Sequence, residues 1–259
     1  MNTSMTLSTF ALASSLFALT ANANDAVGPG ESDSTWIVGG SLTHHNNLYA
    51  GEDNDTSAFP VIRYNGDRFF VKDGSLNLHL GKQEAWSYGL TLSPSGSLLS
   101  DKDEYKDNAR LQGLEEREYT AEGGFYVNHT NEKGRLHFSL RSDLGSEHDG
   151  QTAVVNYTWD LRAGEWFINP YVGAEWISSN KTDHLFGVSE AESTDTRAAY
   201  QASSSFNAFA GVRGRLELTD KWDFNFNSGL VALGDGIKDS SIVDEDHLYF
   251  SSVGVNYNF

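Results

Sequence analysis

The chain ends on His247-Leu-Tyr-Phe-Ser-Ser-Val-Gly-Val-Asn-Tyr-Asn-Phe259, and along this stretch the side chains alternate in character. One face is rich in aromatic and β-branched residues, which are Tyr249, Val253, Val255, Tyr257 and Phe259. The opposite face carries small and polar residues, which are Ser252, Gly254, Asn256 and Asn258. A period of two predicts a β-strand whose two faces meet different surroundings, one apolar and one polar.

The same alternation recurs along the chain and predicts twelve strands. The alternating segments begin near Trp36, Phe59, Arg68, Leu76, Trp86, Glu118, Leu136, Ala153, Trp166, Phe206, Trp222 and His247. The stretch 68–81 allows either two strands or one bent strand, so the pattern is compatible with ten to twelve. The fold class is therefore predicted to be all-β and antiparallel.

The connections between these segments alternate in length. Short connections are predicted at 65–66, 81–85, 130–134, 163–164 and 219–221. The intervening connections are mostly long and polar, although Asp73-Gly74 is too short for its place in the series. Short periplasmic turns and long extracellular loops are typical of bacterial outer membrane barrels. We therefore predict a transmembrane antiparallel β-barrel of about twelve strands in the outer membrane, with both termini in the periplasm.

The tryptophans support this prediction because most of them fall at the same end of the proposed barrel. Indole and phenol rings suit the boundary between lipid headgroups and water, since they are apolar with one polar group. The predicted periplasmic aromatic girdle consists of Trp36, Trp86, Trp159, Trp166, Trp222, Tyr257 and Phe259. A chain that closes on a strand with a terminal aromatic residue also resembles the last strand of such barrels. That resemblance implies recognition of this strand by the barrel-assembly machinery.

The amino terminus reads as an export signal. Residues 7–20, LSTFALASSLFALT, are apolar but too few to cross a membrane as a helix, and Ala21-Asn22-Ala23 follows as a cleavage site. No Lys or Arg precedes the apolar run, and a buried N-terminal helix is the alternative. We predict a signal peptide at 1–23 and an outer membrane barrel domain at 24–259.

Composition restricts the possible partners. The chain has no Cys, which rules out disulfides, and its formal net charge of -18 opposes binding to nucleic acid. Acidic groups at 101–104 and 244–246 are predicted to lie in solvated external loops, where they could hold divalent cations that bridge to lipopolysaccharide phosphates. Outer membrane lipid and lipopolysaccharide are thus expected partners.

The polar faces of the predicted strands carry charges of both signs. The predicted lumen-lining residues are Glu122, Arg135, Arg141, Asp160, Arg162, Glu175, Arg213, Arg215, Glu217 and Asp223. Such a lining is compatible with a narrow charge-selective channel or with a network of ion pairs that fills a small barrel. Because lumens open clearly only at larger strand numbers, we favour the filled interior.

Two groups of residues could support chemistry, but the sequence signal for each is weak. His137 and Ser139 share a strand face with Arg141, as a nucleophile and its base would, but alternating polar residues inside a barrel produce such pairs routinely. His44 and His45 precede a loop with acidic residues, but the spacing fits no zinc or calcium motif. We predict no enzymatic activity, no catalytic or cofactor-binding residues and no metal site.

Several short stretches, in order along the chain, resemble the MltA-interacting protein family, also called MipA/OmpV. They are Tyr49-Ala50-Gly51, Phe59-Pro60-Val61-Ile62-Arg63-Tyr64, Gly66-Asp67-Arg68-Phe69-Phe70, His148-Asp149-Gly150, Phe186-Gly187-Val188, Leu233-Gly234-Asp235 and Ser241-Ile242-Val243. Each motif is weak alone, and together they cover nearly the whole predicted mature chain.

This resemblance implies an outer membrane protein without catalysis. It also implies a scaffold for murein synthesis, which would bring a lytic transglycosylase and a penicillin-binding protein together in the periplasm. Other members of the family are described as porin-like or adhesive. A small porin-like channel for solutes therefore remains the alternative function.

Overall fold

A computed structural model describes residues 35–259 of the chain. The predicted signal peptide, 1–23, and the first residues of the predicted barrel domain lie outside the described residues. Within 35–259, no helix has the length and apolar character needed to span a membrane. The described chain consists almost entirely of β-strands and the connections between them.

Thirteen strand segments follow one another along the chain. They are β1 (Thr35–His45), β2 (Asp55–Asn65), β3 (Phe69–Lys72), β4 (Ser75–Gln83), β5 (Trp86–Ser95), β6 (Thr120–Asn131), β7 (Gly134–Asp143), β8 (Gln151–Trp159), β9 (Leu161–Ala163), β10 (Trp166–Ile177), β11 (Ser205–Glu217), β12 (Trp222–Ala232) and β13 (His247–Asn258). A short 3₁₀ helix, Leu98–Ser100, and three α-helices lie in the connections. The helices are α1 (Lys102–Tyr105), α2 (Ser179–Phe186) and α3 (Asp235–Lys238).

The strands close into a cylinder of antiparallel neighbours. The last strand, β13, pairs with β1 in a register that runs from Ile37 opposite Asn258 to His45 opposite Phe250. The break in chain order near β9 is closed because β10 pairs with both β8 and β11. The short β9 pairs with β10 below β8, so the two segments fill one position in the wall. The predicted fold class, a twelve-stranded antiparallel barrel, is confirmed.

Burial is distributed inside out compared with a water-soluble protein. Large apolar side chains stand exposed on the outer face, among them Leu42, Leu90 and Val172, whereas polar residues such as Asn77, Thr152 and Asn207 are buried inside. This arrangement suits a wall with hydrocarbon outside, because lipid replaces water as the medium around the apolar face. The alternation seen in the sequence is thus the alternation between lipid and lumen.

The two ends of the barrel differ. The short connections 66–68, 84–85, 132–133, 164–165 and 218–221 lie at one end with both ends of the described chain. The long connections 46–54, 96–119, 144–150, 178–204 and 233–246 lie at the other. Outer membrane barrels have short periplasmic turns and long external loops, so the first end is the periplasmic one.

The hairpin of β3 and β4 is the exception at the long-loop end. Asp73 and Gly74 form its turn with φ angles of 51° and 76°. Two consecutive positive φ angles define the tight type I′ turn, which favours glycine at the second position because glycine has no Cβ. The stretch 68–81 therefore forms two short strands, which keeps the strand count at twelve.

Candidate functional site: the capped lumen

The long loops fold over the external mouth of the barrel and pack into one apolar cluster, here called the cap. Its loop residues are Leu48, Tyr49, Leu98, Leu99, Tyr105, Leu111, Leu114, Leu185, Phe186, Val188, Leu233, Ile237, Ile242 and Val243. Inward-facing strand residues continue the same cluster, namely Val154, Tyr171, Ile177, Phe209, Val231, Leu248 and Phe250. The external mouth is therefore covered by a packed apolar core.

Phe186, the last residue of α2, is fully enclosed in this cap. Its ring stacks on that of Tyr49 with 5.7 Å between centroids. Its carbonyl oxygen accepts a hydrogen bond from the Ser240 hydroxyl at 2.6 Å. Burial raises the pKa of Tyr49 to about 12, against the opposing influence of Ser97 and Arg117. These contacts join the loops 46–54, 178–204 and 233–246.

A buried ion pair fastens the cap to the barrel wall. Lys181, on α2, donates to Glu122 Oε1 of β6 at 2.5 Å and to Thr152 Oγ1 of β8 at 3.0 Å. Both side chains of the pair are only 2% exposed. Arg141 and His148 also lie 3.5 Å from the Glu122 carboxylate. The Lys181 ammonium group on the loop helix α2 thus compensates the charge of the Glu122 carboxylate inside the barrel. Such compensation is needed because an unpaired charge is costly to bury.

Asp143 shapes the 144–150 connection next to this pair. One carboxylate oxygen accepts from the Thr120 hydroxyl at 2.6 Å and from the Gly145 backbone N–H at 2.9 Å. The other accepts from the backbone N–H groups of His148 and Asp149 at 2.8 and 3.0 Å. The connection therefore folds tightly around one carboxylate, which holds His148 beside Glu122.

A second polar cluster joins the two longest loops. The Arg197 guanidinium donates to the backbone carbonyls of Arg110 and Glu192 at 2.8 and 2.7 Å. The Glu192 carboxylate in turn accepts from the Glu115 backbone N–H at 2.9 Å and from Arg117 at 3.0 Å. Burial opposes ionisation of Glu192, but these hydrogen bonds and those from Ser189 outweigh it and lower its pKa. The loops 96–119 and 178–204 consequently behave as one packed layer.

The predicted lumen-lining charges separate into two groups. Five of them are buried, namely Glu122, Arg141, Glu175, Arg213 and Asp223. The other five are half-buried or exposed and lie toward the periplasmic end, where the buried Asp223 also lies; they are Arg135, Asp160, Arg162, Arg215 and Glu217.

Most of these charges have polar or aromatic partners inside the barrel. Asn207 donates to Glu175 at 3.0 Å, and Asn258 donates to Asp223 at 2.9 Å. Arg162 and Arg215 cover the Phe167 ring at 4.3 and 4.6 Å from its centroid. Arg213 lies 4.5 Å from the Tyr171 centroid, and Asn169 donates to Asp160 at 2.8 Å.

The predicted girdle residues lie on the outer side of the periplasmic end. Trp36, Trp86, Trp159, Trp222 and Phe259 are exposed, while Trp166 and Tyr257 are half-buried. Trp222, Tyr257 and Phe259 form a chain of edge-to-face contacts with centroid distances of 5.1 and 4.9 Å. Trp176, near the end of β10, stands at the opposite end of the wall.

A polar cavity of about 40 Å³ lies inside the wall on the side of β3 to β7. Its lining includes His137 and Ser139, the pair considered for nucleophilic chemistry. His137 Nδ1 is 2.7 Å from Asn128 Oδ1, so this ring nitrogen is hydrogen-bonded to the side-chain amide of Asn128. Near the predicted acidic group 244–246, the side chains of Glu245, Asp246 and His247 lie close enough together to share a cation. These three residues are half-buried or exposed. His44 instead lies 2.9 Å from the Thr56 hydroxyl.

Two features of this site escaped the sequence reasoning. Lys181 lies in the long connection 178–204, where the sequence has no periodicity that predicts which way a side chain points. The sequence alone therefore does not predict its contact with Glu122. The cap did leave a signal, because Leu248 and Phe250 are apolar residues on the otherwise polar face of β13. The same change occurs at Val231 on β12 and at Phe209 on β11.

The sequence matches known outer membrane proteins over most of its length. The model of the family described as MltA-interacting protein MipA matches residues 38–259. An outer membrane protein of Escherichia coli K12 named YiaT is 24% identical over 225 residues, covering 86% of this chain and 90% of that protein. Outer membrane protein OmpV of Vibrio cholerae is 25% identical over 240 residues, covering 87% and 92%. The MltA-interacting protein of E. coli K12 is 23% identical over 212 residues, covering 82% and 85%.

Solved structures of similar shape are more distant in sequence. An outer membrane channel from Pseudomonas putida F1 aligns with a TM-score of 0.43 at 11% identity, covering 91% of this chain and 98% of that one. The family match spans well over half of the chain. The protein therefore belongs to the MltA-interacting protein (MipA) family and is a β-barrel of the bacterial outer membrane.

Proposed function

We propose that this protein is a non-enzymatic scaffold of the cell envelope whose periplasmic rim binds murein-synthesising enzymes, a lytic transglycosylase and a penicillin-binding protein. The observation that carries the proposal is the cap, which covers the external mouth with a packed apolar core. A barrel closed in this way has its accessible periplasmic surface at the rim. The name of one relative, MltA-interacting protein, supports a partner of the lytic transglycosylase type.

The periplasmic turns offer a surface of suitable character for such binding. Their charged residues are exposed and of both signs, namely Asp67, Arg68, Lys82, Glu84, Glu132, Lys133, Glu165, Asp220 and Lys221. Mixed charges on rigid hairpin turns favour orientation and partner choice more than raw affinity. The short turns also keep these charges at fixed positions around the barrel.

The absence of catalysis is part of the proposal. His137 and Ser139 lie in a cavity with room for roughly three water molecules. That volume leaves little space for a substrate beside the pair, which favours a structural role for these residues.

Binding of the refolded protein to a purified lytic transglycosylase tests the scaffold. We expect saturable binding that weakens as ionic strength rises, and that weakens further in a Lys133→Glu/Lys221→Glu variant of the rim. The matched control is Lys102→Glu/Lys106→Glu, which reverses two exposed charges on the cap side and should bind like the wild type. If neither a lytic transglycosylase nor a penicillin-binding protein binds the wild type, the scaffold proposal is wrong.

The second candidate is a small solute channel, and the charged lumen favours it. Five of the charged side chains lie near the periplasmic end and are half-buried or exposed, as a wet vestibule would require. A channel must conduct across a planar bilayer, whereas a scaffold need not. Conductance therefore separates the two candidates.

A further inference from the structure

The barrel wall has a gap in its external half. Within residues 35–259, β2 pairs with β1 along its whole length, but it pairs with β3 only through Tyr64 and Asn65. The cause is the short β3–β4 hairpin, which turns back at Asp73 and Gly74. The part of β2 from 55 to 63 therefore runs beside no other strand of the described chain on that side. We call this gap between β2 and the end of β5 the slot.

The prolines of the described chain fall where the wall is interrupted. Pro60 lies on β2 at the slot, and Pro94 lies on β5 beyond Leu92, the residue where its pairing with β4 begins. The third, Pro170, lies on β10 between the residues that pair with β8 and those that pair with β9. Proline has no backbone N–H and is therefore confined to places where a ladder bond is missing. Pro60 and Pro94 thus lie where β2 has no partner in β3 and β5 has no partner in β4.

Apolar side chains flank the slot on the outer face of the wall. Next to it, Ile62 on β2 is 54% exposed, and the outward side chains of Leu76 and Leu92 on β4 and β5 are 47% and 43% exposed. An open sheet edge facing lipid is costly, because hydrocarbon offers no hydrogen bonds to backbone groups. A polar group that enters between β2 and β5 would relieve this cost.

The lining of the polar cavity includes inward-facing residues of β3, β4 and β5, the strands beside the slot. Ser75 and Ser93, at the top of β4 and β5, line it and join across the ladder by a hydrogen bond of 2.8 Å. Lys72 and Arg141 contribute two buried cationic groups to the same lining, and Arg141 also lies 3.5 Å from the Glu122 carboxylate and from the Ser93 hydroxyl. The one acidic residue of the lining, Asp73, is 3.4 Å from the Arg63 guanidinium.

We propose that the slot admits the phosphate head group of an outer-leaflet lipid, which the cavity binds through Lys72, Arg141 and the nearby hydroxyl groups. Cationic groups with hydroxyl donors suit phosphate oxygens, which form strong charge-assisted hydrogen bonds. The cavity has room for a group the size of roughly three water molecules. A lipid is favoured over free phosphate because the slot opens to the bilayer, while the cap covers the aqueous external route.

Single-cysteine labelling tests the lateral route, since the natural chain has no Cys. The wild type, Ser93→Cys and Asn156→Cys are reconstituted in nanodiscs that contain phosphatidylethanolamine with a maleimide on its head group. Both mutated positions are buried and face inward, but Asn156 lies in an unbroken part of the wall, paired with His137 and Gly173. We expect lipid adducts on Ser93→Cys at least ten times faster than on Asn156→Cys. Equal labelling of the two cysteines would overturn the proposal, once denaturation has shown that both thiols react and heat-modifiable gel mobility that both variants fold.

Lipid binding measured by native mass spectrometry tests the ligand class. The wild type should retain one phosphatidylglycerol in preference to diacylglycerol, and Lys72→Gln should reduce this retention several-fold. The control Lys102→Gln removes an exposed lysine of the cap side and should leave retention unchanged. Equal retention by wild type and Lys72→Gln would refute the site, and binding of inorganic phosphate without lipid would refute the lipid as its occupant.

Discussion

At the scale of single residues, the structure depends on charges that are withdrawn from water and then satisfied. Lys181 and Glu122 are both buried, and they form the contact between the cap and the inner wall. Removing one member of a buried pair leaves the other as an uncompensated charge, which costs more than the pair contributes. This asymmetry makes the pair a sensitive point of the fold.

Lys181→Met should lower the free energy of unfolding by about 3–5 kcal/mol, the range for breaking a buried pair. The measurement is urea unfolding of the refolded protein in detergent, followed by tryptophan fluorescence. In Lys102→Met, an exposed lysine 3.9 Å from Glu116 is lost, and about 0–1 kcal/mol is expected. Equal losses in the two variants would show that the buried pair does not hold the cap.

His184, on α2, should make stability depend on pH in a defined window. Burial and the positive potential of His148 and Arg117 lower its pKa from 6.5 to about 4. The His184 ring therefore becomes protonated near pH 6.5 in the unfolded chain but only near pH 4 in the folded chain. The stability contributed by the neutral ring is present above pH 6.5 and is lost as the pH falls between these values.

A His184→Gln variant checks this dependence by unfolding at pH 7 and at pH 4.5. The wild type should lose more stability between the two conditions than the variant, because glutamine does not titrate. The lowered pKa of Glu192 also makes the free energy of unfolding fall as the pH falls. This contribution is the same in both proteins and therefore cancels in the comparison. An identical loss in both would mean that His184 is protonated as readily in the folded protein as in the unfolded one.

At the scale of elements, the wall could be predicted from the sequence, whereas the cap left a signal only in its strand residues, such as Leu248 and Phe250, and none in its loops. Strands whose faces meet lipid and lumen must alternate, so residues such as Tyr249 and Val253 identified β13 and its outward face directly. The cap is built from loops in which Leu111, Leu185 and Ile242 recur at no fixed period. Their packing depends on contacts between segments far apart in the chain, which periodicity does not report.

Phe186→Ala tests whether the cap is one cooperative unit. Loss of this buried ring should cost about 3–5 kcal/mol and loosen the long loops together. Limited trypsin digestion of the folded protein in detergent should then cut after Lys102, Lys106 or Arg110. The side chains of these residues are exposed, but we expect the packed backbone of the intact cap to resist the extended conformation that trypsin requires.

The matched control for this experiment is Phe206→Ala, at the start of β11, where the ring is 64% exposed on the lipid face. This variant should keep the trypsin resistance of the wild type. Rapid cleavage of the wild-type loops themselves would contradict the packed cap.

At the scale of the whole molecule, the protein is a barrel of the MltA-interacting protein family that is covered on its external side, and we propose that it acts through its periplasmic rim. The buried charges Glu175 and Arg213 each have a neutral polar or aromatic partner rather than a row of water-facing neighbours. The apolar cap above these residues interrupts the route for ions at the external mouth. The central claim is therefore that the native barrel is closed.

Single-channel recording of the refolded protein in a planar bilayer tests this claim most directly, with an Arg213→Ala/Arg215→Ala variant beside the wild type. We expect no steady conductance in either protein. Steady wild-type conductance whose ion selectivity changes in the variant would contradict it, and would make the lumen the functional site.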